Sequence, residues 1–85
     1  MDKPDVALGT VRLGTRGENA LTLQEDLNYC IDIGFLHGEH IDMDGRFESQ
    51  SVGVLKSFQS AVGLPITGVY DPYTCDKMKE IIGGR

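Results

Sequence analysis

A cluster of side chains that could bind a metal ion lies in the middle of the chain. Two histidines and two aspartates fall within eight residues, at His37, His40, Asp42 and Asp44. Imidazole and carboxylate are ligands that zinc takes, but the spacing is not helical and Gly38 interrupts it. A calcium loop with Gly45 at its sixth position lacks the acid required at the first position and the glutamate required at the twelfth. We interpret the stretch as a polar surface loop and predict no metal site and no cofactor.

A second set of residues has the chemistry needed to bind a sugar or a peptide. Such a site needs polar groups on a shallow surface and an aromatic face. The candidate ligand-binding residues are Arg46, Gln59, Tyr70 and Tyr73, together with loop 36–42. Arg46 has the geometry to hold a carboxylate through two hydrogen bonds, or it is a solvated turn residue. Gln59 has an alternative role, shared with Gln24, of bonding the backbone of a buried turn.

The residues that could catalyse a reaction are poorly placed for it. Paired carboxylates would need to face each other across a cleft, and 85 residues in three helices offer none of that kind. Cys30 and Cys75 fall on inward helix faces, which are poor positions for a nucleophile. We interpret both cysteines as core residues, with a single disulfide as the alternative. The chain is therefore predicted not to be an enzyme.

Three helices are predicted to position these residues, at about 16–33, 49–62 and 72–82. In the first, apolar residues recur at steps of three and four, at Ala20, Leu23, Leu27, Cys30 and Ile31. Thr15 and Glu18 fit a capping box at its start, and Gly34 fits a left-handed stop at its end. Asp71 can cap the third helix, with Pro72 at its first position. The fold class is all-α, a compact three-helix bundle.

Glycine and proline residues, which interrupt helices, divide the chain into segments around the three helices. Residues 1–10 are an N-terminal lead-in, residues 11–82 are the domain, and residues 83–85 are a tail or the start of a linker. A long loop, 34–47, follows the first helix. A repeat at an offset of 23 residues relates the segment beginning at Gly45 to the segment beginning at Gly68, each reading glycine, any residue, aromatic, acid. In both copies we expect the aromatic residue to reach the core and the acid to cap the next helix.

Charge and hydropathy exclude some partners. Thirteen acidic residues against eight basic ones give a net charge of -5, which disfavours binding to phosphate backbones. No stretch approaches the length of apolar sequence that a membrane helix needs, and the N-terminus lacks the pattern of a signal peptide. We predict no nucleic-acid partner and no membrane partner.

Five segments, taken in order, resemble one known family. They are Arg12–Glu18, Leu23–Leu27, Asp44–Phe47, Ser57–Pro65 and Thr67–Thr74. Together they resemble the three-helix type of peptidoglycan-binding domain, which is attached to cell-wall hydrolases and phage endolysins. The likeness covers about residues 11–82. Three features depart from the family pattern: a longer loop after the first helix, Glu48 where glycine often follows the turn aromatic, and Cys75 where tryptophan is common.

The resemblance implies a non-catalytic module that targets a lytic or wall-remodelling enzyme to peptidoglycan, through the glycan strand or the stem peptide. The catalytic domain is expected in the same chain or complex, of bacterial or phage origin, and the module is expected to be a monomer. It would act at the cell wall, outside the cell or in the periplasm, and would stay in the cytoplasm until released if no leader exports it. The alternative is a docking or assembly module of a phage or secretion apparatus. Its sign would be an exposed apolar patch at Phe35, Leu36 and Ile41.

Overall fold

The computed structural model of the chain describes residues 11–83. Three helices follow one another along this segment: α1 (Glu18–Asp32), α2 (Ser49–Ala61) and α3 (Pro72–Ile82). The prediction of an all-α three-helix bundle is confirmed, and each helix end lies within two residues of its predicted position. The predicted lead-in at 1–10 and the last two residues of the predicted tail lie outside the described residues.

The core is built from all three helices and from the loop and turn between them. Its buried apolar side chains are Val11, Ala20, Leu23, Leu27, Cys30, Leu36, Ile41, Phe47, Leu55, Phe58, Tyr70 and Met78. Phe47 is fully buried and Tyr70 nearly so, as predicted for the aromatic residue of each repeat, and Phe58 is fully buried too. Full burial of a side chain such as Phe58 stabilises the fold by about 1.5–3 kcal/mol relative to exposure.

The helix starts differ from the prediction in two of three cases. Gly17 is the N-cap of α1, with a φ of 113° and no side-chain cap bond. The hydroxyl of Thr15 instead accepts from the backbone N–H of Arg12 at 3.0 Å, so the predicted capping box is wrong. Glu48 lies at the N-cap of α2 without a side-chain bond. The prediction is confirmed at α3, where the Asp71 carboxylate accepts from the Thr74 N–H at 2.8 Å.

The loop that follows α1 folds against the bundle. α1 ends at a left-handed glycine, Gly34 (φ 83°), as predicted. The Phe35 ring then packs against Phe58 with 5.9 Å between ring centroids. Leu36 and Ile41 are buried, so the exposed apolar patch required by the docking alternative is not formed at these positions. The Asn28 side chain holds the Ile41 backbone in place: its amide nitrogen donates to the Ile41 carbonyl at 2.9 Å, and its oxygen accepts from the Ile41 N–H at 2.8 Å. The Leu36 N–H donates to the Cys30 carbonyl at 3.1 Å.

Neither Cys30 nor Cys75 forms a disulfide bond. Cys30 is buried, and its sulfur lies 3.7 Å from the sulfur of Met78 in the core. Cys75 is half-buried on α3. Cys30 therefore packs as a small apolar side chain, as predicted, and the alternative disulfide is not formed.

Candidate functional site

The turn before α2 is held by a glutamine that α1 projects into it. The Gln24 side-chain oxygen accepts from the Gly45 N–H at 2.9 Å. Its nitrogen donates to the Arg46 carbonyl at 2.9 Å and to the Ser51 hydroxyl at 3.0 Å. A longer contact of 3.2 Å joins the same nitrogen to Asp44. The structural role predicted as an alternative for Gln24 is therefore confirmed.

The turn before α3 is held in the same way by Gln59, which α2 projects. Its oxygen accepts from the N–H groups of Thr67 and Gly68, both at 3.0 Å. Its nitrogen donates to the Val69 carbonyl at 3.0 Å and to the Thr74 hydroxyl at 3.1 Å. Each copy of the 23-residue repeat thus has a glutamine from the preceding helix and a hydroxyl from the following one. We call these two arrangements the glutamine clamps.

The second turn is also packed closely. Gly68 has a φ of 75°, and a Cβ at this position would lie 3.0 Å from Cε of Lys56 and 3.2 Å from Cγ1 of Val52. A glycine is needed there both for its backbone conformation and for the space.

The segment 11–17 crosses both turns and joins them. The Tyr70 N–H donates to the Val11 carbonyl at 2.7 Å, and the Gly14 N–H donates to the Phe47 carbonyl at 2.8 Å. Isolated antiparallel bridges pair Val11 with Tyr70 and Arg16 with Arg46. Backbone bonds therefore fix the relative positions of the two turns.

The four predicted ligand-binding residues divide between the interior and the surface. Gln59 is fully buried with both amide atoms bonded, so it performs the structural role that was predicted as its alternative. Tyr70 is 7% exposed. Tyr73, early in α3, is 74% exposed, and Arg46 is exposed beside Gly45. Arg46 and Tyr73 are therefore the two of the four whose side chains are exposed and accessible to a ligand.

A groove of about 290 Å³ runs between α1 and α3 and includes Tyr70. Leu23, Met78 and Tyr70 lie beneath the groove but are buried, so the half-buried Cys75 and Ile82 provide its accessible apolar surface. Burial raises the pKa of the Tyr70 phenol well above its usual value. The polar and charged residues that line it are Asn19, Thr22, Asp26 and Lys79. Cys75 lines the groove at the position where the resembled family commonly has tryptophan. The smaller cysteine side chain leaves more of the groove unfilled.

A second, shallower groove of about 550 Å³ lies between α1 and the loop that contains His40. The imidazole Nε2 of His40 is 2.5 Å from a carboxylate oxygen of Asp32. Glu25, Tyr29 and Met43 lie along the same groove. Within the described part of the chain, no three histidine, cysteine or acidic side chains come together in a way that could hold a metal ion.

Two features of the candidate site were missed by the sequence interpretation. One is Arg16, which the bridge places opposite Arg46. The other is the set of polar residues on the rim of the groove, including Asp26 and Lys79. Helical spacing could have indicated the second set: Asn19, Thr22 and Asp26 recur at steps of three and four on one face of α1.

Comparison with known proteins identifies the family. The family model described as a peptidoglycan-binding domain matches residues 16–78, which span all three helix starts and both glutamine clamps. The chain belongs to the peptidoglycan-binding domain family. Membership supports a cell-wall-binding module and confirms the resemblance seen in the sequence.

One solved structure is similar to this peptidoglycan-binding domain over most of its length. It is the crystal structure of the SleB N-terminal domain. The two chains are 30% identical and superpose with a TM-score of 0.68, covering 84% of this chain and 89% of that one. No curated protein matches the chain. Among residues 11–83, no helix has the length and apolar character needed to span a membrane.

Proposed function

We propose that this domain is a non-catalytic module that binds peptidoglycan and holds a lytic or wall-remodelling enzyme on its insoluble substrate. The observation that carries the proposal is the family match over residues 16–78. Tethering raises the effective concentration of the attached enzyme at the wall, so even weak binding by the module is useful. The catalytic domain would lie in the same chain or complex, and the module would act as a monomer.

The surface has suitable groups for this ligand in the groove between α1 and α3. The half-buried apolar side chains of Cys75 and Ile82 suit the methyl groups of N-acetyl sugars and alanine side chains. The polar rim suits the amides and hydroxyls of the same polymer. Tyr73 adds an exposed aromatic face outside the groove, against which a sugar ring can lie.

The setting of the module follows from the same proposal. It would act at the cell wall, outside the cell or in the periplasm, after release or export. A phage endolysin or a bacterial hydrolase would each supply a suitable catalytic partner. Nucleic acid and membranes are not proposed as partners, because the chain carries a net charge of -5.

Co-sedimentation with isolated, washed sacculi tests the proposal. The domain should pellet with the sacculi at low and moderate salt, whereas an unrelated acidic protein of the same size should not. If the domain stays in the supernatant with that control, the proposed function is lost. Tyr73→Ala should weaken sedimentation without changing the helical circular dichroism. Ile66→Ala is the matched control, because Ile66 is also an exposed apolar residue (57% exposed).

A filling substitution tests the groove itself. Thr22→Trp places a large side chain in the groove and should reduce sedimentation, whereas Thr22→Ala leaves the groove open and should reduce it far less. If both variants sediment like the original protein, the ligand binds elsewhere on the domain.

A further inference from the structure

The arginines that flank the first clamp lie directly opposite each other. The Phe47 N–H donates to the Thr15 carbonyl, and the Gly17 N–H donates to the Gly45 carbonyl, both at 2.9 Å. These two bonds lie on either side of the Arg16–Arg46 bridge, so the two arginines form a non-hydrogen-bonded antiparallel pair. In such a pair the two Cα atoms lie about 4.5 Å apart and the side chains leave the same face of the ladder.

This placement of charge is unfavourable for the isolated domain. Like charges directly opposite each other in an antiparallel pair destabilise it. The chain has eight basic residues against thirteen acidic ones, and two of the eight occupy this pair. Within residues 11–83, neither guanidinium forms an ion pair with a carboxylate. Both side chains are exposed and available to a ligand.

Two acids lie two residues from Arg46, Asp44 on one side and Glu48 on the other. The Asp44 Oδ1 accepts from the backbone N–H of Arg46 at 2.9 Å and from Gln24 at 3.2 Å, and its charge attracts the Arg46 guanidinium without forming an ion pair. Glu48 is exposed and makes no side-chain cap bond. Glu18 lies in the first turn of α1. Arg16 directly precedes Gly17, the N-cap of α1, which provides no side-chain acceptor. The positive end of the helix therefore adds to the field of the two guanidinium groups.

We propose that Arg16 and Arg46 together bind a carboxylate of the peptide stems of peptidoglycan. The proposal rests on the proposed function and names the chemical group that this part of the surface recognises. A guanidinium donates two parallel hydrogen bonds to a carboxylate, and a carboxylate between two guanidinium groups removes their mutual repulsion. Binding of the anion thus relieves an unfavourable contact of the free domain.

Sedimentation of charge-matched variants tests the pair. Arg16→Gln/Arg46→Gln removes two positive charges and should weaken binding to sacculi about tenfold or more at low salt. Lys56→Gln/Lys77→Gln removes the same charge elsewhere on the surface and should change binding less than about twofold. The arginine variant should unfold at the same urea concentration as the original protein or a higher one, because repulsion is removed. Equal weakening by both double variants would overturn the proposal in favour of a general charge effect.

Chemical treatment of the sacculi distinguishes a carboxylate from a phosphate. Conversion of the wall carboxylates to amides should reduce binding of the original domain to the level of the arginine variant. Hydrofluoric acid removes phosphodiester polymers and should leave binding unchanged. If hydrofluoric acid treatment of the sacculi lowers binding of the original domain to the level of the arginine variant, the ligand is a phosphate and the carboxylate proposal fails.

The two proposals fail in different ways. If the arginine variant sediments like the original domain, the carboxylate site is lost but wall binding stands. If the original domain does not sediment at all, both proposals are lost. Arg16→Lys/Arg46→Lys keeps the charge but not the forked donors, and it should bind between the original domain and the glutamine variant.

Discussion

Replacing Gln59 by alanine should remove one whole clamp. The variant loses the acceptor of the Gly68 N–H, which is buried, and the donor to the Val69 carbonyl. The Thr67 N–H is at the surface and can turn to water. The Thr74 hydroxyl keeps its bond to Asp71 at 2.8 Å. The main damage is therefore at Gly68 and Val69.

The free-energy cost can be estimated group by group. A buried N–H left without an acceptor costs about 1–3 kcal/mol. The lost bond to the Val69 carbonyl contributes about 1 kcal/mol, and the deleted methylene about 0.8 kcal/mol. We expect Gln59→Ala to lower the free energy of unfolding by about 3–5 kcal/mol. A domain of this size has about 4–13 kcal/mol in total, so the loss is a large part of its stability.

Urea unfolding followed by circular dichroism measures this loss. In thermal unfolding the same change should lower Tm by about 12 °C or more. Gln50→Ala is the matched control: its oxygen accepts one bond, from the Asp42 N–H at 2.9 Å, and both residues are exposed. That control should change stability by less than about 0.5 kcal/mol. If Gln59→Ala lies within about 1 kcal/mol of the original protein, the clamp does not stabilise the turn as argued.

Further predictions concern the turns and caps, each measured by urea unfolding. Gly68→Ala should cost more than Gly34→Ala, because both have positive φ but no atom lies within 4 Å of a Cβ at Gly34; equal costs would contradict this. Asp71→Ala should cost about 1 kcal/mol, whereas Glu48→Ala should be close to neutral, since Glu48 makes no cap bond. The backbone N–H of Arg46 holds the pKa of Asp44 below its ordinary value of 3.8. The stability that this carboxylate contributes is therefore present above pH 3.8 and is lost as pH falls through the lower folded pKa, so Asp44→Asn should resemble the original protein more closely at about pH 3 than at about pH 6.

The sequence predicts those features that depend on local pattern. The apolar spacing in α1 and the Asp71–Pro72 start of α3 give the helices their positions, because each signal lies within a few residues. The role of Gln24 and Gln59 is also predictable, since an amide near an inward face, followed later by a glycine turn, has buried backbone to satisfy. The longer loop after α1 does not alter these elements.

Features that depend on contacts distant in sequence were not predictable. The capping box at Thr15 fails because Gly17 is bonded to Gly45, which is far along the chain. The same non-local ladder brings Arg16 opposite Arg46. The burial of Ile41 depends on the amide of Asn28, in the middle of α1. No local sequence pattern indicates any of these three contacts.

The two clamps share one helix, and this has a consequence for amide exchange with solvent. α2 supplies Ser51 to the first clamp and Gln59 to the second. The amide protons of Gly45 and Gly68 lie in turns, where exchange is ordinarily fast because small local openings suffice. Rotation of Gln24 away from Gly45 also breaks its bond to Ser51 of α2, and rotation of Gln59 away from Gly68 moves a buried side chain of α2 itself. In hydrogen–deuterium exchange, both glycines should therefore exchange as slowly as the core of the helices, as members of the same cooperative unit.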